Sequence, residues 1–184
     1  MNVMSPPKMT VDEFLVWAMA RPGKFELIDG VVYQMSPERL RHLRTKGAAY
    51  VALLNALKTT SADLHAVPDG ATIRINETTA FGPDALVLSG PLPNGNSIEI
   101  STPVIVIEVI SPSSRKGDTG FKMPGYFSVA GVCHYVVLEA DKKTIIHYRR
   151  LSENKVETNI LNAGILRLDP PGLEIPVADL FAVD

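Results

Sequence analysis

Residues 104–110 read Val-Ile-Val-Ile-Glu-Val-Ile, an apolar β-branched run broken at one place by an acid. A stretch of that kind is a strand covered on both faces, because a half-exposed strand alternates apolar and polar residues. The chain must therefore build a layer on each side of that strand. With 184 residues and 46% apolar content, it has the material for one domain with a real core. The same composition excludes extended disorder, which needs low hydrophobicity and high net charge.

Other elements group around this run. Thr10 followed by Glu13 is a capping box, predicting a helix from there to about Ala20 with Phe14, Leu15 and Ala18 inward. Apolar-rich segments at 25–28 and 31–35 flank Asp29-Gly30, a type I′ hairpin signal. Ser36-Pro37-Glu38 reads as N-cap, first helical position and acidic first turn. Leu40, Leu43, Gly47, Tyr50, Val51, Leu54 and Leu57 then keep a helical period, predicting that this stripe faces the core.

Short strands are expected at 64–67, 72–75 and 85–88, and the Pro- and Asn-rich stretch 90–97 reads as a loop. A short helix is expected at 120–130, weakened by Pro124 and Gly125. A hairpin follows over 134–138 and 144–149, then strands near 155–161 and 165–168 and a turn at 177–181. This order predicts an α/β fold: a single domain at 10–184 behind an N-terminal extension at 1–9, with a mixed central sheet flanked by helices.

Cys133 is the single cysteine, which excludes an intramolecular disulfide framework and a Cys-rich zinc site. Residues 1–10 hold no apolar run of signal-peptide length, and no stretch is long enough to span a bilayer, so a cytoplasmic location is expected. Lys and Arg number 18 against 20 Asp and Glu, a net charge of -2 that does not announce a nucleic-acid binder. P-loop, GxGxxG and HExxH motifs are absent.

Glu108 is the chemical anomaly. Inside an apolar strand a carboxylate must be neutralised, hydrogen-bonded or coordinated to a cation, unless it reaches solvent at the strand end. Asp84 follows Gly82-Pro83 at the mouth of the 85–88 strand; alone, Pro-Asp is a common turn dipeptide. Together, two carboxylates at neighbouring buried strands can hold one hard divalent ion. Glu26 is an acid between apolar neighbours, and His42 lies on the rim of the long helix's stripe; simple surface roles fit both. Lys122 and Tyr126 are four apart and share a helix face. Arg115, Lys116 and Lys122 form a short basic cluster, either a solvated face or a phosphate contact, and Arg39, Arg41, Arg44 and Lys46 on the long helix could extend a positive face.

These pieces, in order, resemble a known family. They are FELIDG at 25–30, Met35-Ser36-Pro37 with His42, Pro83-Asp84, VIEVISPSSR at 106–115, and Lys122 with Tyr126. Ala130-Gly131-Val132 before Tyr135 to Leu138, Pro171-Gly172-Leu173 and Asp179-Leu180-Phe181 complete the pattern. The chain resembles the "putative restriction endonuclease" family of the PD-(D/E)XK nuclease superfamily over about residues 10–181. The resemblance implies a restriction-endonuclease-like fold and a metal-dependent endonuclease that hydrolyses DNA. It implies Asp84, Glu108 and Glu26 as ligands of Mg²⁺ or Mn²⁺ and, because Ile110 stands at the usual lysine position, Lys122 as a lysine migrated to the next helix. His42, Tyr126 and Arg115 are accessory candidates. DNA is the expected partner and a homodimer the expected assembly. The alternative is a nuclease-fold protein that binds nucleic acid or a protein partner without cutting.

Overall fold

The computed structural model describes residues 8–110 and 115–182, with the side chains of 115–119 outside that set. Helix α1 (Val11–Met19) starts on the expected capping box, in which Thr10 Oγ1 accepts from Glu13 N–H and Glu13 returns the bond to Thr10 N–H. Strands β1 (Phe25–Ile28) and β2 (Val31–Gln34) pair across Asp29-Gly30, both with positive φ as a type I′ turn requires.

Helix α2 (Leu40–Leu57) begins later than expected, after Arg39. Ser36 and Pro37 do not cap it, and Glu38 is committed elsewhere, as described below. The face it buries also differs from the expected stripe. Leu40, Leu43, Val51 and Leu54 are exposed, while Ala49, Ala52, Leu53 and Ala56 pack into the core. The small alanines allow the helix axis to approach the sheet closely.

Five strands follow: β3 (Leu64–Pro68), β4 (Ile73–Asn76), β5 (Thr79–Phe81), β6 (Ala85–Ser89) and β7 (Pro103–Ile110). Helix α3 (Arg115–Ser128) starts five residues before the expected position and runs through Pro124. Next come β8 (His134–Glu139), β9 (Thr144–Ser152), β10 (Lys155–Leu161), β11 (Ile165–Leu168), β12 (Leu173–Pro176) and a 3₁₀ turn at Val177–Leu180. Strands β5 and β12 are additions to the expected list.

The main sheet has the order β10-β9-β8-β7-β6-β3 and is mixed, with β7 and β8 parallel and the other pairs antiparallel. As its apolar run predicts, β7 lies inside the sheet and is buried almost throughout. Its residues alternate between faces: Ile105, Ile107 and Val109 meet α2 and the β11–β12 hairpin. Val106 and Ile110 meet Tyr126 of α3 together with Ile73 and Phe81 of a second sheet, ordered β2-β1-β5-β4. Period two therefore turns Glu108 toward α3 and β1.

A buried histidine pair joins β8 to β9. His134 Nε2 lies 2.8 Å from Pro170 O, and a carbonyl can only accept, so that nitrogen carries the proton. His134 Nδ1 is then an acceptor for the Nε2–H of His147, 2.8 Å away. Burial pushes the pKa of both rings down to about 4.

Candidate active site

Antiparallel pairing of β6 with β7 sets Ala85 opposite Ile107, which brings Asp84, just before β6, beside the C-terminal half of β7. Asp84 N–H donates to Ile107 O at 3.0 Å, and Asp84 Oδ2 accepts from Val109 N–H at 2.6 Å. Asp84 and Glu108 are each 7% exposed and line one cleft of about 660 Å³, together with Glu26, Lys46, Lys122, Arg39 and His42.

Lys122 reaches this point from α3. Its Nζ donates to Glu26 Oε1 at 2.8 Å and to Glu108 Oε1 at 3.0 Å, and the residue is 1% exposed. Tyr126, one turn further on, donates its hydroxyl to the same Glu108 oxygen at 2.6 Å. Glu26 comes from β1, with Oε1 also accepting from Gly82 N–H at 3.0 Å. Glu26 is thus buried, contrary to the surface role its strand pattern allowed.

Gly125 explains how α3 lies close enough. A Cβ there would come within 2.6 Å of Phe81 Cε2 on β5, so only glycine permits this approach. The ring of Phe81 packs edge-on against Tyr126 and Phe121, with centroids 5.3 Å apart in each pair.

Burial pushes the Asp84 carboxyl up to about 7, and the neighbouring Glu108 charge adds to this against the pull of Lys46. Burial likewise raises Glu108, opposed by Lys122 and supported by Glu26. Burial disfavours the charged form of Lys122, but Glu108 and Glu26 outweigh it and raise its pKa. The Tyr126 phenol is held well above its usual value, by burial first and then by the same two acids. The site therefore concentrates negative charge out of water, a condition that favours binding a cation.

Glu38 and Asp69 were not singled out as site groups in the sequence, and Lys46, expected on a positive face of the long helix, is instead buried and ion-paired. Lys46 of α2 is 8% exposed and lies 2.6 Å from Asp84 Oδ1, 2.5 Å from Glu38 Oε1 and 3.2 Å from Asp69 Oδ2. Lys24 also pairs with Asp69. Among the described residues, Glu38, Asp69 and Asp84 form an acidic trio whose oxygens fall within 4.8 Å of one another. Lys46 lies three and seven residues before Ala49 and Leu53, so the burial of that face, which the leucine stripe did not predict, carries it inward. Glu38 and Asp69 had no sequence signal, since each meets Lys46 through tertiary contact. His42 is half-buried on the cleft wall. The side chain of Arg115 lies outside the described residues.

The mixed α/β sheet, with buried acids and a lysine gathered where two central strands meet, defines the class: a nuclease-type α/β fold. A solved structure described as "a putative nuclease belonging to DUF820" from Anabaena variabilis shares this fold, with a TM-score of 0.71, 19% identity, and coverage of 94% of this chain and 97% of that one. The chain belongs to the Uma2 family, described as "Putative restriction endonuclease", whose model matches residues 11–178. An uncharacterized Synechocystis protein, slr1290, is 26% identical over 145 residues, covering 78% of this chain and 75% of the relative. No helix among the described residues is long and apolar enough to cross a membrane.

Proposed function

We propose that this protein is a divalent-metal-dependent endonuclease that hydrolyses DNA phosphodiester bonds. The observation that carries the reading is the convergence of buried Asp84 and Glu108 on one cleft with the Lys122 ammonium. The donors are hard carboxylate oxygens held out of water, the set that Mg²⁺ or Mn²⁺ prefers. Asp84 and Glu108 would hold the ion, with Glu26 completing the shell. When bound, such an ion polarises a phosphate oxygen and makes its bound water a nucleophile at neutral pH.

The chain's own groups supply the rest. Lys122, fixed between Glu26 and Glu108, presents positive charge where negative charge develops on the transferring phosphoryl group. Tyr126 fixes the orientation of Glu108 through its hydroxyl. Arg39 and His42 line the same cleft and would contact backbone phosphates, which position a duplex without reading its sequence. The acids lining the cleft outnumber its Lys and Arg residues, so the bound cation would supply the positive charge that a chain of net charge -2 needs to receive DNA. A homodimer would provide the two scissions a duplex requires, and sedimentation velocity would show it.

Plasmid cleavage with Mg²⁺ or Mn²⁺ tests the reading, comparing wild type with Asp84→Ala and Glu108→Ala. Cleavage by wild type and its loss in both variants is expected. Activity surviving both substitutions would remove this site from the chemistry. A folded wild type that cuts no nucleic acid would leave a binding protein built on the nuclease fold.

A further inference from the structure

Lys46 is the buried ionisable group of the cleft that the cleavage reading does not use. Removing an ammonium from water costs several kcal/mol, and only close opposite charge offsets this. One carboxylate would serve, yet the chain converges three on Lys46: Asp84 Oδ1 at 2.6 Å, Glu38 Oε1 at 2.5 Å and Asp69 Oδ2 at 3.2 Å. They come from three separate segments, so their meeting is a property of the tertiary fold. Each Asp84 oxygen thereby has one partner, Lys46 on Oδ1 and Val109 N–H on Oδ2 at 2.6 Å, with lone pairs remaining for an ion.

Charge in the ion-paired groups around the cleft points the same way. It falls into two ion-paired groups, Glu26 and Glu108 with Lys122, and Glu38, Asp69 and Asp84 with Lys24 and Lys46. Fully ionised, the two groups together carry an excess of two negative charges, matched by one divalent ion. Nucleases that use two ions place them about 3.5–4 Å apart, sharing carboxylates. Here the acid that would be shared, Asp84, already has the Lys46 ammonium on its Oδ1.

We propose that Lys46 is a positioning residue that acts as the resident cation of the site, holding Asp84 in place and confining the acidic cluster to a single divalent ion. This rests on the metal-dependent reading above and adds a stoichiometry to it. With Lys46 neutralised, Glu38 and Asp69 would keep only the half-exposed Lys24 and Asp84 would lose its ammonium, and a second ion would enter.

Isothermal titration of the full chain with Mn²⁺, without DNA, measures this directly. One ion is expected for wild type and for the charge-conserving Lys46→Arg, and two for Lys46→Gln. Adding Asp69→Asn to Lys46→Gln should return the count to one. Two ions in wild type, or one in a folded Lys46→Gln at unchanged affinity, would overturn the assignment of Lys46 while leaving the metal reading standing. Wild type that binds no Mn²⁺ would overturn the metal reading itself. Should Lys46→Gln fail to fold, Glu38→Gln with Asp69→Asn in the presence of Lys46 decides the matter. The single ion should then bind with less than about threefold change in affinity. Its loss would show that Glu38 and Asp69 are ligands and Lys46 is not their cation.

Discussion

The Lys122 ammonium donates to Glu108 Oε1 at 3.0 Å across fourteen residues of sequence, from the helix that follows β7 rather than from β7 itself. A flexible four-carbon stem lets a lysine deliver its charge to one point from different elements. Ile110, two residues beyond Glu108, is left to pack into the core on the α3 side.

Lys122→Met should lower the single-turnover cleavage rate by about 10²–10³-fold, the usual loss when a donor to developing charge is removed. It also leaves Glu26 and Glu108 without their ammonium, a loss of roughly 3–5 kcal/mol by urea unfolding at pH 8. Adding Glu108→Gln should recover part of that stability without recovering activity. A double variant no more stable than the single would show that Lys122 and Glu108 are not coupled.

Gly125→Ala sets two effects of opposite sign against each other. Helix propensity alone would favour alanine by about 1 kcal/mol. The added Cβ, 2.6 Å from the buried Phe81 ring, should win and destabilise the protein by about 1–3 kcal/mol. Because α3 carries Lys122, cleavage should fall with it. An increase in melting temperature would show that α3 does not dock as closely as described.

Leu53 and Leu54 are neighbours in sequence with opposite surroundings, the first fully buried and the second 37% exposed. Leu53→Ala should cost about 2–5 kcal/mol in chemical denaturation. Leu54→Ala should stay within about 0.5–1 kcal/mol. Equal losses would mean that α2 presents a different face to the sheet.

The histidine pair makes stability depend on pH. Burial holds both rings near pKa 4, while in the unfolded chain they titrate near 6.5. The unfolded state therefore binds more protons between these values, and stability present above about pH 6.5 falls as the pH drops toward 4. His147→Gln keeps an N–H to donate to His134 Nδ1 and removes one titrating group. Denaturation midpoints from pH 7 to pH 4 should fall less steeply for the variant, on a scale of one to a few kcal/mol. Parallel curves would exclude the pair as the source of acid sensitivity.

Local signals in the sequence determined the elements whose causes lie within a few residues. The Thr10 capping box, the Asp29-Gly30 turn and the apolar run around Glu108 each specify local structure through nearby chemistry. The four-residue spacing of Lys122 and Tyr126 was enough to put them on one face, and a single helix indeed brings both to Glu108. Tertiary structure alone decided which stripe of α2 turns inward. Its larger leucines have a helical period, but the sheet packs against the alanine side, with Ala49, Ala52, Leu53 and Ala56 in the core. That choice carries Lys46 inward and makes it a buried cation. Glu38 and Asp69 meet it there from segments eight residues earlier and 23 residues later. Pairing between charges so far apart in the chain leaves no period to read; it arises when packing brings them out of water together, where each must have a partner.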